Sequence, residues 1–252
     1  MIKQKRERNP NPKKKPELKL AVNLKDHFLK ALEAFPDFSE AHFQLGLIYH
    51  DENDFQNAES HFMAAIESDN KQVNLMEERG EELLKKFQFQ NAKDQFIKAQ
   101  ERKNHCAEVN YQLSILHENK KKTNEAKICL EQSIALNLSF SEAHRNLGIL
   151  LSGIKQRDKA RFHLEKAVNL NYSDPLSHLH LGLLMIQANE YSEAEQEFLS
   201  ALDIKPEFVD CIIELAALKL KMNQKAEARE YYSTAKSLKP ELKLKKLEKD
   251  LA

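Results

Sequence analysis

The sequence predicts an all-α fold built from a tandem repeat, and three observations lead to this prediction. The 252-residue chain contains only five glycines and seven prolines, which is too few for the many tight turns of a sheet protein. Four of the five glycines share one phase of a 34-residue period. Alanine recurs at one position in six successive copies of that period: Ala58, Ala92, Ala126, Ala160, Ala194 and Ala228.

Composition and charge narrow the class of protein. With 41% hydrophobic residues the chain can bury a core, and its 39 basic residues balance its 39 acidic ones. It has no run of ~20 apolar residues and its first residues lack a signal-peptide segment, so we expect a cytoplasmic, non-secreted protein. Its three cysteines have no C-x-x-C spacing, which argues against a disulfide framework or a structural zinc site.

The first element is a basic tail, predicted to be disordered over residues 1–15. Residues 3–15 carry seven positive charges and one negative charge, which is typical of an arm that contacts nucleic acid or an anionic membrane. The alternative is a solubilising leader or an intramolecular partner for acidic repeats. Residues 16–38 follow as a half repeat, in which Leu24, Phe28 and Leu32 lie at helical spacing ahead of Pro36.

The repeats themselves occupy residues 39–242. Gly46, Gly80, Gly148 and Gly182 are separated by 34, 68 and 34 residues. With these glycines at position 8, the chain divides into six copies without an insertion. Residues 243–252 are predicted to form a terminal cap helix. The six copies are 39–72, 73–106, 107–140, 141–174, 175–208 and 209–242.

Within each copy, positions 4, 7, 8 and 11 form one helical face and positions 20, 24, 27 and 28 form a second, so each repeat is predicted to be two amphipathic helices. Small residues at positions 8 and 20 indicate a close approach of the helix axes. Asparagine recurs at position 15, in the predicted turn, as Asn53, Asn189 and Asn223. Asp158 and Ser192 are predicted to cap second helices.

This pattern resembles the tetratricopeptide repeat (TPR), whose signature is W-x2-L-G-x2-Y, A-x3-F and P. The first copy has Leu45, Gly46 and Tyr49, followed by Ala58 and Phe62 at the family spacing. The resemblance covers residues 39–242. It implies an α-solenoid, a right-handed superhelix of TPR helix-turn-helix repeats in which the first helices line a concave groove.

No catalytic or metal-binding constellation emerges from the sequence, so we predict a protein that is not an enzyme and has no cofactor, metal or small-molecule substrate. Three of its ten histidines, His42, His144 and His178, share position 4 and are interpreted as packing residues. No two histidines have the spacing of three or four residues that lets a helix hold one ion. The others at irregular positions are interpreted as surface residues: His50, His61, His105 and His117.

The groove of such a superhelix would be lined by positions 2, 5, 9 and 12 of the first helices. Those positions are largely apolar in repeats three to six, which favours binding of a partner segment. The alternative is that positions 5 and 9 are half-buried against neighbouring repeats. The candidate groove residues are Phe43, Leu47, Glu77, Glu81, Tyr111, Ile115, Arg145, Asn146, Ile149, Leu179, Leu183, Ile186 and Ile213.

Repeat two departs most from the pattern. Arg79 replaces the leucine of position 7, and Gln100 and Arg102 replace apolar residues near the end of the repeat. Glutamates cluster on its predicted first helix. Either this repeat has drifted, or it is an acidic and more mobile segment that accepts a basic partner.

These features predict a non-catalytic scaffold or adaptor that binds a peptide or helical segment of a protein partner, within a multiprotein assembly. The Lys and Asn pair with which related co-chaperones hold a C-terminal carboxylate is missing at positions 5 and 9. The alternative is a nucleic-acid- or membrane-associated accessory protein that uses the basic tail of residues 3–15.

Overall fold

The computed structural model describes residues 14–242 and residue 248, and in that part of the chain all regular structure is helical. The predicted all-α fold is therefore confirmed. The helices are α1 (Lys14–Ala34), α2 (Ser39–Asp51), α3 (Phe55–Lys85), α4 (Phe89–Asn119), α5 (Thr123–Leu136), α6 (Ser141–Gly153), α7 (Arg157–Leu170), α8 (Pro175–Gln187), α9 (Tyr191–Ile204), α10 (Val209–Lys221) and α11 (Lys225–Leu238).

The terminal elements are only partly within the described residues. Helix α1 covers most of the predicted half repeat, and it begins two residues inside the predicted basic tail. Residues 1–13 and the predicted cap helix, apart from Glu248, lie outside the described part of the chain.

The chain divides into two compact units, unit 1 (Met1–Asn137) and unit 2 (Leu138–Ala252). In unit 2, helices α6 to α11 form three helical hairpins. Each second helix packs on its own first helix, α7 and α9 also pack on the first helix of the next hairpin, and α6, α8 and α10 lie side by side. Unit 2 is thus a layer of first helices on a layer of second helices.

Close contacts at position 8 hold each hairpin together. A Cβ atom built on Gly46, Gly148 or Gly182 would lie 2.5–2.6 Å from the position-24 side chain of the same repeat. That distance is shorter than van der Waals contact, so only glycine allows the two helices to approach this closely. The prediction of a close-contact position is confirmed.

The turn between the two helices of a hairpin has a left-handed residue at position 15. Asn53, Asn189 and Asn223 have φ of 60°, 64° and 62°, as the sequence predicts. The cap predictions are wrong, because the turn makes position 16 the N-cap, so Asp158 and Ser192 lie inside the first helical turn. The other residues with positive φ at position 15 are Phe87, Lys121 and Lys155.

The structure of unit 1 differs from the prediction of two separate helices in every repeat. Helices α3 and α4 run without a break through the predicted repeat boundaries at 72/73 and 106/107, and each has 31 residues. At 1.5 Å per residue each is about 45 Å long. The segments at these boundaries contain no proline or glycine, whereas Pro175 and Pro206 lie at boundaries in unit 2.

As a consequence, the third hairpin of unit 1 stacks directly on the first. The Asn119 amide contacts the His50 ring at 3.0 Å across 69 residues of sequence. The corresponding contact in unit 2, from Gln187 to Ser152 at 3.4 Å, spans 35 residues, which is one whole repeat fewer. Buried Phe62 belongs to the same core cluster as Leu116 of the third repeat, so repeat two does not separate them.

Repeat two instead extends away from this stack as a two-helix arm, which we define as residues 73–104. Its base is held by the fully buried carboxylate of Asp69, which lies 2.5 Å from the His105 ring and 3.3 Å from the Arg102 guanidinium. The hydrogen bond with Asp69 raises the pKa of His105. This cluster fixes the two long helices to each other where the arm begins.

Candidate functional site

The predicted groove residues of unit 2 lie on the first helices, which are next to each other. Ile149, Leu183, Ile186 and Ile213 are half-buried, so each keeps part of its apolar side chain accessible. Leu179 is buried, which agrees at this position with the interpretation that position 5 packs against neighbours. Three neighbouring helices, α6, α8 and α10, thus present one row of accessible apolar groups.

A polar row lies beside the apolar one, at position 6 of the same helices. It contains Asn146, His180 and Glu214, all half-buried. Burial lowers the pKa of His180 and raises the pKa of Glu214, so burial disfavours the charged form of each. The row therefore offers an amide, an imidazole and a carboxyl group at the edge of the apolar surface.

The basic groove residue of unit 2 is paired. Arg145 donates a hydrogen bond from Nη1 to Asp174 at 2.6 Å, and both side chains are largely buried. Burial acts to raise the pKa of Asp174, but hydrogen bonds from Ser177 and Arg145 hold it below its ordinary value. Asp174 also caps α8, so Arg145 helps to fix the start of that helix.

In unit 1 the structure brings together some of the predicted groove residues and separates others. Phe43 is buried, against the rings of Phe62 and His105. Leu47 packs on the same core cluster, next to the part of α4 that carries the half-buried Tyr111 and Ile115. The two predicted groove residues of repeat two lie on the arm instead: Glu77, which pairs with Lys103 at 2.6 Å, and the exposed Glu81.

The histidines at position 4 are packing residues, as predicted, but each also has a polar partner at position 23. His42 meets His61 with 2.9 Å between Nδ1 atoms, and His144 meets His163 at 3.0 Å. In repeat five position 23 is Glu197, and its carboxylate lies 2.7 Å from Nδ1 of His178. Among the described residues no group of three or more possible ligands could hold a metal ion.

A concave surface that the sequence does not predict lies in unit 1, between α3, α4 and α5. This groove has a volume of about 880 Å³ and includes Met63 and Leu113. His117, interpreted from the sequence as a surface residue, is buried in its lining, and its Nδ1 has no hydrogen-bond partner within the described structure. The sequence does contain a signal for this burial, because Asn110 and His117 occupy positions 4 and 11 of the inward face.

The acidic residues Glu59, Glu67 and Glu125 also line this groove.

Comparison with protein families decides the identity of the repeat. The family model for the tetratricopeptide repeat matches residues 39–72, 107–140 and 209–242, in the same phase as the 34-residue copies. The chain contains tetratricopeptide repeats. The family model recognises three copies, and the full count of six stays a prediction.

Solved structures similar to this TPR protein share its fold. YrrB, described as a TPR protein with an unusual peptide-binding site, has a TM-score of 0.59 and 17% identity, covering 85% of this chain and 93% of its own. MamA has a TM-score of 0.59 and 18% identity, covering 82% and 97%. PilW, a type IV pilus biogenesis factor, has a TM-score of 0.54 and 18% identity, covering 71% and 86%. No curated protein sequence matches the chain.

The fold class is that of an α-solenoid, and TPR proteins are generally scaffolds for protein interactions and typically non-catalytic. Protein partners are therefore what the fold of this TPR protein suggests. None of its described helices is both long and apolar enough to cross a membrane.

Proposed function

We propose that this protein is a non-catalytic adaptor that binds a peptide or helical segment of a protein partner on the first helices of unit 2. One observation carries the proposal: half-buried apolar side chains follow each other on three adjacent helices, with a polar row beside them. Such a surface can bury apolar side chains of a ligand while polar groups fix its orientation. YrrB, which shares this fold, is described as having a peptide-binding site, and this supports the proposal.

The charges around the surface also favour a peptide over a free acidic terminus. Arg145 is neutralised by Asp174, and the adjoining polar row contains Glu214 rather than a second cation. A carboxylate ligand would therefore lack an unpaired basic group to bind here among the predicted groove residues of unit 2. We expect apolar segments with neutral or basic flanking residues to bind best.

The test is selection of random displayed peptides on the full chain, followed by binding to the variant Ile149→Lys with Leu183→Lys. We expect enriched peptides that bind the wild type and lose at least about tenfold in affinity on this variant, because two charges would enter the apolar row. Phe162→Lys with Leu199→Lys is the matched control, since it makes the same change at exposed positions of second helices. Peptides that bind all three proteins equally would contradict the proposal.

Two further predictions stay open to experiment. The sequence favours a cytoplasmic location, which cell fractionation tests. The alternative function, binding of nucleic acid or anionic membrane by residues 3–15, rests almost wholly on residues outside the described structure, and deletion of residues 1–13 separates it from peptide binding.

A further inference from the structure

The arm of residues 73–104 keeps the internal packing of a stacked repeat. A Cβ atom on Gly80 would lie 2.7 Å from the Phe96 ring, as at the equivalent glycines of other repeats, and Ala92 and Ala99 are buried between the two helices. The arm is therefore a complete helical hairpin of the same kind as those that stack in unit 2.

Unlike those hairpins, the arm leaves its outer surface uncovered by the described part of the chain. Phe96 is 36% exposed, whereas Phe62 and Phe198 at the same position of stacked repeats are 1% and 0% exposed. Arg79 is exposed at the position where Leu147 is 1% exposed. Exposed apolar side chains continue along both helices and over the turn: Leu75, Leu84, Phe87, Phe89 and Ile97.

The two helices of the arm carry opposite charge. The α3 part, residues 73–85, has four glutamates against Arg79 and Lys85. The α4 part, residues 89–104, has four basic residues, Lys93, Lys98, Arg102 and Lys103, against Asp94 and Glu101.

Each helix also has an exposed stripe that combines apolar and charged groups. Leu75, Glu78 and Glu82 lie on one face of α3 at helical spacing, and Phe89, Lys93 and Ile97 do so on α4. Within the described residues no ion pair joins the glutamates of one stripe to the lysine of the other.

From these observations we propose that the arm is a self-association surface and that its occupant is the arm of a second copy of this chain. In a two-fold dimer the acidic stripe of each α3 faces the basic stripe of the partner's α4, so the same complementary contact forms twice. The apolar side chains of both stripes become buried there, as stacking buries them in an ordinary repeat. This surface is separate from the proposed peptide surface of unit 2.

A charge-exchange experiment tests the proposal, with molar mass measured by light scattering on the full chain across a wide concentration range. We expect the wild type to dimerise as its concentration rises. Glu78→Lys with Glu82→Lys gives two basic stripes. The exposed Gln100 lies one helical turn beyond Ile97 on the α4 stripe, so Lys93→Glu with Gln100→Glu gives two acidic stripes. Each variant alone should therefore stay monomeric. An equimolar mixture of the two should form dimers again, because both contacts are then complementary.

Two controls keep the result specific. Asp203→Lys with Glu207→Lys changes charge at exposed positions of unit 2 and should leave the dimer intact. Circular dichroism verifies that every variant keeps its helical content. A wild type that stays monomeric at all concentrations overturns the proposal, and so does a dimer that survives in both charge-reversed variants.

Discussion

Gly182 and Gly153 lie in first helices of neighbouring repeats but in opposite environments. A Cβ atom on Gly182 would lie 2.6 Å from the fully buried Phe198 ring, whereas a Cβ atom on Gly153 would have no neighbour within 4 Å. We expect Gly182→Ala to lower the free energy of unfolding by about 1–3 kcal/mol, because the buried ring cannot move away easily. Gly153→Ala should raise it by about 0.5 kcal/mol through helix propensity. Urea unfolding of the two variants measures both, and equal shifts would contradict the contact.

Lys155 adopts φ of 63° at the turn position where three other repeats have asparagine. A left-handed conformation is strained for lysine, and asparagine tolerates it better. Lys155→Asn should therefore stabilise unit 2 by about 0.5–1 kcal/mol, as seen by a higher thermal midpoint. Asn189→Lys makes the reverse change at an equivalent turn and should destabilise the protein. A destabilised Lys155→Asn variant would show that the lysine makes a contact that outweighs its strain.

Single-residue features were predictable where they repeat and unpredictable where they depend on a partner. The glycines of position 8 and the asparagines of position 15 have the predicted roles, because the period marks them directly. The partners of the position-4 histidines were not predicted, because His61 and His163 lie 19 residues further along the chain and belong to no recognisable motif. The interpretation of His117 as a surface residue is wrong, because its position 11 belongs to the inward face of the helix and its side chain is buried.

At the scale of elements, the two long helices should differ in stability along their length. Residues 55–70 of α3 pack against α2 and α4, while residues 75–85 belong to the arm. Local opening is easier where fewer neighbours cover the backbone. We expect amides in residues 76–98 to exchange at least about tenfold faster than those in 56–68 and 107–117 of the same two helices. Hydrogen exchange measured by mass spectrometry is the check.

In this experiment segments 56–68 and 107–117 are internal controls, since they share a continuous helix with the arm. Equal protection along α3 and α4 in dilute protein would contradict the exposed arm. Protection of residues 76–98 that rises with protein concentration would agree with self-association.

The extension of repeat two could not be read from the period, because 34-residue spacing is the same whether a repeat stacks or projects. Arg79 at a core position does indicate that repeat two departs from the other repeats, and its side chain is exposed. No proline or glycine lies between Asp69 and Asn74 or between Arg102 and Ala107, but none lies between Leu136 and Ser141 either, where the helix ends. Deciding between a broken and a continuous helix depends on which packing is better, and that is a tertiary property.

For the molecule as a whole, the histidines predict a loss of stability in acid. Burial, together with its neighbour His144, lowers the pKa of His163 to about 4. A group with a lowered pKa binds its proton more readily in the unfolded chain, so stability falls as pH falls from about 6.5 towards 4. The pKa values of His105 and His178 are raised instead. These two groups therefore add stability as pH falls from their raised pKa values to about 6.5, which opposes the trend. The pKa is lowered at five described histidines: His61, His117, His144, His163 and His180.

We therefore expect the free energy of unfolding to be smaller at about pH 5 than at about pH 7, with roughly 2 kcal/mol of the difference due to His163 alone. Urea unfolding at both pH values measures it. The variant His163→Gln lacks this titrating group, so its stability should depend less on pH. An unchanged slope in His163→Gln would show that the pair with His144 is not responsible.

The projection of repeat two has a consequence for any ligand that follows the first helices of unit 1. Leu47 and Ile115 are 68 residues apart in sequence, yet the hairpins that carry them are direct neighbours in the stack. The number of repeats is therefore larger than the number of stacked first helices that a bound segment can contact. Glu77 and Glu81 lie on the arm, so a segment bound along the stacked first helices of unit 1 would not contact them. When one repeat projects, the hairpins on either side of it still stack on each other. The row of stacked first helices is then one helix shorter, although the chain has the same length.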